Sequence, residues 1–180
     1  MPCTDENLVI SARNGNTEAF GCLYDNLKDG LYRYAYYMLG NPEDAQDAVM
    51  DTVIDAFAGI KKLRDPVLFK NWIFKILYNK IKRRRREYIV EKTYQLEENL
   101  TKSDESLEIE TIEREDLLRA LSELEGDDRS IVLLSVNEGY SSKDIGKMIG
   151  MNSNTVRTRL KRALDKMRLL LETEGGGYYE

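Results

Sequence analysis

Residues 140–168 read YSSKDIGKMIGMNSNTVRTRLKRALDKMR, and this stretch decides the fold class. Ser141 and Ser142 offer side-chain caps to a short helix KDIGKMIG, Gly150 closes it, and Ser153 opens a longer helix, since serine hydroxyls satisfy free amides at a helix start and glycine ends a helix without strain. In the longer helix Val156, Leu160, Ala163, Leu164 and Met167 recur at three- and four-residue steps and form its inward line. Turning 100° per residue from that line leaves Asn154, Thr155, Arg157, Thr158, Arg159, Lys161 and Arg162 at or beside the outer face. Helix, glycine turn and basic helix are the proportions of a helix-turn-helix, whose second helix enters a DNA major groove with its N-terminal residues on base edges. Asn pairs with adenine, Arg with guanine and Thr meets a thymine methyl, although any packed helical hairpin with a basic surface imitates the pattern.

Upstream, Leu117, Leu118, Leu121 and Leu124 form one helical seam, and Ile131, Val132, Leu133, Leu134 and Val136 a more buried helix ended by Gly139. Residues 87–111 are polar, acidic and aperiodic, as a solvated linker is. Before them lie three helical patterns. Residues 18–38 carry Phe20, Leu23, Tyr24, Leu27, Leu31, Tyr34 and Ala35 on one side, with Gly30 as a candidate interruption. Asn41-Pro42 is a cap-and-start signal; the helix after it hides Ala45, Ala48, Val49, Val53, Ala56 and Phe57, while Asp44, Asp47, Asp51 and Asp55 stack into an acidic stripe. Asp65-Pro66 repeats the start signal before a third helix with the seam Phe69, Trp72, Ile73, Ile76, Leu77 and Ile81, ending in a four-arginine run. The expected architecture is all-α: a helical domain over 1–90, an acidic flexible linker over 91–113, a helix-turn-helix domain over 114–172 and a disordered tail over 173–180.

Charge is segregated along the 180 residues. The net charge is −5, yet 61–86 hold eleven Lys and Arg against one acid, and 143–168 hold eight against two. Such clusters, not the total, set the field that neutralises phosphates. With no histidine in the chain, most acid-base relays, nucleophilic triads and nitrogen-ligand zinc sites are excluded. Neither a phosphate-loop nor a dinucleotide fingerprint occurs. No catalytic residue, metal or cofactor is expected, and Cys3 and Cys22 carry no assigned role. The N-terminus lacks a secretory pattern and no apolar run approaches bilayer length, so a cytoplasmic address without membrane insertion is expected.

The third helix adds aromatics to its basic face: Tyr78 shares the polar side with Lys75 and Asn79, a surface suited to unstacked bases of single-stranded DNA. Three segments then resemble one family, the bacterial sigma factors of the extracytoplasmic-function type: NPEDAQDAVMDTVIDAF, FKNWIFKILYNKIKRRRRE and the helix-turn-helix stretch, in that order and spacing. The resemblance implies a non-enzymatic factor that binds core RNA polymerase, directs it to promoter DNA and is held by an anti-sigma factor. It assigns polymerase docking to Asp44, Asp47, Met50, Asp51 and Ile54, with Met50 standing where the family usually has Gln. It assigns the minus-ten element to Lys61, Lys62, Leu63, Arg64 and Phe69 in the loop and to Lys70, Asn71, Lys75, Tyr78, Asn79 and Lys82 on the helix. It assigns the minus-thirty-five element to Ser153, Asn154, Thr155, Arg157, Thr158, Arg159, Lys161 and Arg162. Two other readings stay open from the residues: a stand-alone dimeric helix-turn-helix repressor, and a helical phosphohydrolase using the aspartates with a divalent metal.

Overall fold

A computed structural model describes residues 5–94 and 112–174, and the regular structure among them is entirely helical. The N-terminal unit contains α1 (Asp5–Arg13), α2 (Thr17–Leu39), α3 (Pro42–Gly59) and α4 (Phe69–Tyr94), with single turns Ile60–Lys62 and Pro66–Leu68 between the last two. The C-terminal unit contains α5 (Ile112–Ser122), α6 (Gly126–Val132) continuing as a π turn over Leu133–Asn137, α7 (Ser142–Ile149) and α8 (Ser153–Glu174). No helix among the described residues is long and apolar enough to cross a membrane.

The start signals act as read. The Asn41 side chain accepts from the amides of Glu43 at 2.8 Å and Asp44 at 3.1 Å, with Pro42 in the first turn of α3. Ser141 accepts from the Asp144 amide. At α8 the cap is Asn152, one residue before the expected Ser153: its side-chain Oδ1 accepts from the Asn154 amide at 2.8 Å. Gly150 closes α7 at φ +75°, a backbone region open to glycine and costly for other residues.

Three features depart from the sequence reading. α1, not expected, packs Val9 and Ala12 against the bundle. Residues 87–94, read as the beginning of the linker, continue α4, because nothing in RRRREYIVEKTY stops a helix; the rest of the linker, 95–111, and the tail from 175 lie outside the described residues. Gly30 does not interrupt α2, which runs unbroken from Thr17 to Leu39. Glycine in a helix interior costs about 1 kcal/mol relative to alanine, and its neighbour explains its presence: a Cβ on Gly30 would stand 3.0 Å from the carboxylate of Glu138 in the other unit.

α2, α3 and α4 bury Leu31, Ala35, Ala45, Ala48, Ile73, Leu77 and Ile81, and α6 to α8 bury Ile131, Leu134, Ile145, Val156 and Ala163. The two cores are continuous. Phe74, fully buried, meets the ring of Tyr34 edge-on at 6.0 Å and that of Tyr140 at 5.6 Å, the favoured geometry of aromatic pairs. Tyr34 donates its hydroxyl to Ser130 at 3.0 Å, and both side chains are buried. Burial pushes the Tyr34 hydroxyl well above its usual range, keeping it a neutral donor.

Candidate protein and nucleic-acid interfaces

The outer face of α3 alternates acid and apolar groups. Asp47 and Asp51 flank Met50 and Ile54, which stand 60% and 58% exposed. Large apolar side chains that stay in water in one contiguous stripe mark a protein-contact surface. The stripe is organised from α4: the Arg84 guanidinium lies 3.4 Å from Asp44, 3.8 Å from Asp47 and 3.6 Å from Asp51. Asp55 is drawn away from this group by Lys80 at 2.6 Å. One arginine among three carboxylates leaves an acidic surplus beside the apolar pair, suited to a basic, partly apolar partner.

Of the loop residues assigned to DNA, Lys61, Lys62 and Arg64 are exposed, with Val67 and Leu68 also in water beside them. Leu63 and Phe69 are buried, at 8% and 4%. This corrects their placement among the base-contacting groups: Phe69 packs on Phe20 and Trp72 and anchors the loop from below. Val67 and Leu68, outside the set assigned from sequence, stand at the loop's outer edge, where the fold leaves two apolar side chains in water.

On α4 the assigned face divides. Lys75 and Asn79 are exposed and Asn71 is half-buried. Tyr78, read as outward, is only 4% exposed, because the C-terminal unit covers it: its hydroxyl donates to Asp127 at 3.0 Å and accepts from Lys82 at 3.0 Å. Burial raises the Tyr78 hydroxyl above its usual range and the bond from Lys82 partly opposes that, so it too stays protonated. Lys70 lies 3.4 Å from the Glu138 carboxylate, with its ammonium 5.1 Å above the Tyr140 ring.

The helix-turn-helix is formed by α7 and α8, with α7 resting on α4. Asn154, Thr155, Arg157, Thr158, Lys161 and Arg162 are exposed on the first turns of α8, and Ser153 is half-buried. The Arg157 guanidinium donates to the Asn154 side chain at 3.1 Å, which orders the two side chains on one exposed face. Arg159 does not share that face. It turns inward to an ion pair with Asp128 and lies 3.9 Å from Glu125, so it ties α8 to α6 instead of projecting to a duplex.

An all-helical pair of units with a helix-turn-helix in the second, basic loop and helix surfaces in the first, and a separate acidic-apolar stripe on α3 has the make-up expected of a DNA-binding transcription factor that works with a protein partner. Residues 23–88 match the Sigma-70 region 2 family and residues 114–167 match Sigma-70 region 4. The chain is 32% identical over 158 residues to the RNA polymerase sigma factor SigV of Bacillus subtilis (strain 168), covering 85% of this chain and 90% of that one. It is 29% identical over 168 residues to the ECF RNA polymerase sigma factor SigM of Mycobacterium tuberculosis (strain ATCC 25618 / H37Rv), covering 93% and 85%. Among solved structures, that of CnrH in complex with the cytosolic domain of CnrY superposes with a TM-score of 0.71 at 25% identity, over 94% of this chain and 97% of that one. The chain belongs to the extracytoplasmic-function sigma factors of bacterial RNA polymerase. It is a promoter-directing transcription factor of a non-enzymatic family, as expected from the resemblance.

Proposed function

We propose that α3 docks this chain on core RNA polymerase, that the loop 61–68 and the α4 face engage and help melt the minus-ten element, and that the start of α8 reads the minus-thirty-five element. In this reading the division between the units falls in 91–113. The observation that carries the reading is the separation of three chemistries onto three elements: acid with exposed Met50 and Ile54 on α3, cations with exposed Val67 and Leu68 on the loop, and amide, hydroxyl and guanidinium groups on α8. A self-dimerising repressor needs none of the first two. The resemblance to the family makes an anti-sigma factor the third partner, and CnrH, which this chain resembles in structure, is likewise held in a complex, with the cytosolic domain of CnrY.

Reconstitution with core polymerase and transcription from a random promoter pool tests the whole reading. Enrichment of templates with two conserved elements at fixed spacing is expected; enrichment of a palindrome by the free chain would favour the repressor. Within that assay Arg157→Ala should relax one upstream base position, because a bidentate arginine–guanine contact carries about 1–3 kcal/mol of discrimination. Arg159→Ala should leave base preference unchanged and lower thermal stability, as loss of a strut between α6 and α8 does. An unaltered profile for Arg157→Ala removes it from the reading surface.

A further inference from the structure

Asp44, Asp47 and Asp51 follow one another at three- and four-residue steps on α3, so their carboxylates share one side of the helix. Like charges at those steps destabilise a helix. Asp55, one further step along, is paired with Lys80. The other three share the single guanidinium of Arg84, which α4 delivers about one turn after Lys80.

The manner of sharing is informative. Charge-assisted bonds from a guanidinium to a carboxylate close to about 2.7–2.9 Å, often as bidentate pairs. Arg84 stands 3.4, 3.8 and 3.6 Å from the three aspartates, so it is committed to none of them and serves as their common counterion. Its side chain is 26% exposed, against 44% to 72% for the aspartates. The acids therefore face solvent and the cation lies behind them, on the α4 side.

We infer that Arg84 is an internal competitor of the polymerase: in the free chain it occupies the aspartate stripe in place of the partner's basic groups, and holds docking below the affinity the bare stripe would give. The inference rests on the proposed docking of α3. Electrostatics fixes its sign. A basic partner approaching three carboxylates and one guanidinium meets two net negative charges, and without Arg84 it would meet three. The same guanidinium relieves repulsion among the carboxylates of the free chain, so it favours the fold while it opposes the complex. A residue whose only task is to hold α4 on α3 would support both. The opposition falls mainly on association, because charges at the rim of an interface act on encounter and its salt dependence.

Core polymerase immobilised on a sensor, with the full chain injected over a series of salt concentrations, tests this. Arg84→Gln should associate roughly three- to tenfold faster than wild type at low salt and lose that advantage as salt rises, while its urea midpoint falls slightly. Arg84→Lys, which keeps the charge, should restore the wild-type rate. Arg83→Gln makes the same change in net charge at a guanidinium that pairs with Glu87 at 3.6 Å, and should change the rate far less. Arg84→Met keeps the apolar stem and carries the same expectation as Arg84→Gln, so the test survives an amide that unsettles α4. Arg84 variants that associate no faster than Arg83→Gln, or more slowly as stability falls, make Arg84 a strut between helices and overturn the inference. The charge-reversed variant of Asp47 and Asp51 separates the two layers. Loss of polymerase by that variant beside inert Arg84 variants sinks the competition alone, whereas its undiminished binding sinks the docking of α3 and the competition with it.

Discussion

Asp47→Lys combined with Asp51→Lys is expected to abolish co-elution of the chain with core RNA polymerase while leaving its helical content and unfolding midpoint nearly unchanged. Both carboxylates point outward from α3, and the interactions they lose within the chain are the partly exposed contacts with Arg84 at 3.8 and 3.6 Å. Exposed ion pairs of that kind contribute about 0–1 kcal/mol, so the fold tolerates their removal. At an interface the same change sets like charges against a basic partner, at a cost of several kcal/mol, and each 1.4 kcal/mol is about tenfold in affinity. A double reversal thus takes even a nanomolar complex out of the range a sizing column retains. Undiminished co-elution of a correctly folded double variant would show that polymerase docks elsewhere. The companion substitution Met50→Gln tests the apolar half of the stripe. Its side chain is 60% exposed in the free chain, so any loss of polymerase affinity is a loss at the interface and not in the fold.

What was legible in advance follows from the range of the forces involved. The start of α3 at Asn41-Pro42 and the α7–α8 turn at Gly150 depend on caps, φ preferences and periodicity within a few residues, all written locally. Tyr78 was misplaced because its burial comes from Asp127, 49 positions away. By pitch alone it lies between the seam and the polar side of α4, and only the docked second unit decides. Arg159 was misplaced for the same reason, since Asp128 on a neighbouring helix draws its guanidinium inward. Leu63 and Phe69 came with a resemblance that marks a loop as functional without separating the side chains that hold it from those that reach out. Many of the assignments that agree with exposure, among them Lys61, Lys62, Arg64, Lys75, Asn79, Arg157 and Lys161, are charged or amide groups that solvation keeps outside.

The same substitution at two helical glycines should move stability in opposite directions. Gly21→Ala in α2 is expected to stabilise the chain by up to about 1 kcal/mol, the helix-propensity gain of alanine over glycine, because a Cβ there meets no atom within 4 Å. Gly146→Ala in α7 makes the same propensity gain, but its Cβ would stand 2.5 Å from the Met151 carbonyl oxygen. That oxygen belongs to the backbone of the turn, and the turn is pinned: the amides of Gly150 and Met151 both donate to the Gly146 carbonyl at 2.9 Å. No rotamer change relieves the contact, so the turn must move, and α8 with it. Overpacking of this kind costs typically about 1–3 kcal/mol, enough to reverse the propensity gain. Gly146→Val should go further, losing upstream-element recognition as the α7–α8 angle opens while polymerase co-elution through α3 persists. Urea unfolding of the two alanine variants beside wild type reads the sign directly. A Gly146→Ala protein as stable as Gly21→Ala would mean that α7 and α8 do not approach this closely in solution, and the reading surface built on that turn would have to be redrawn.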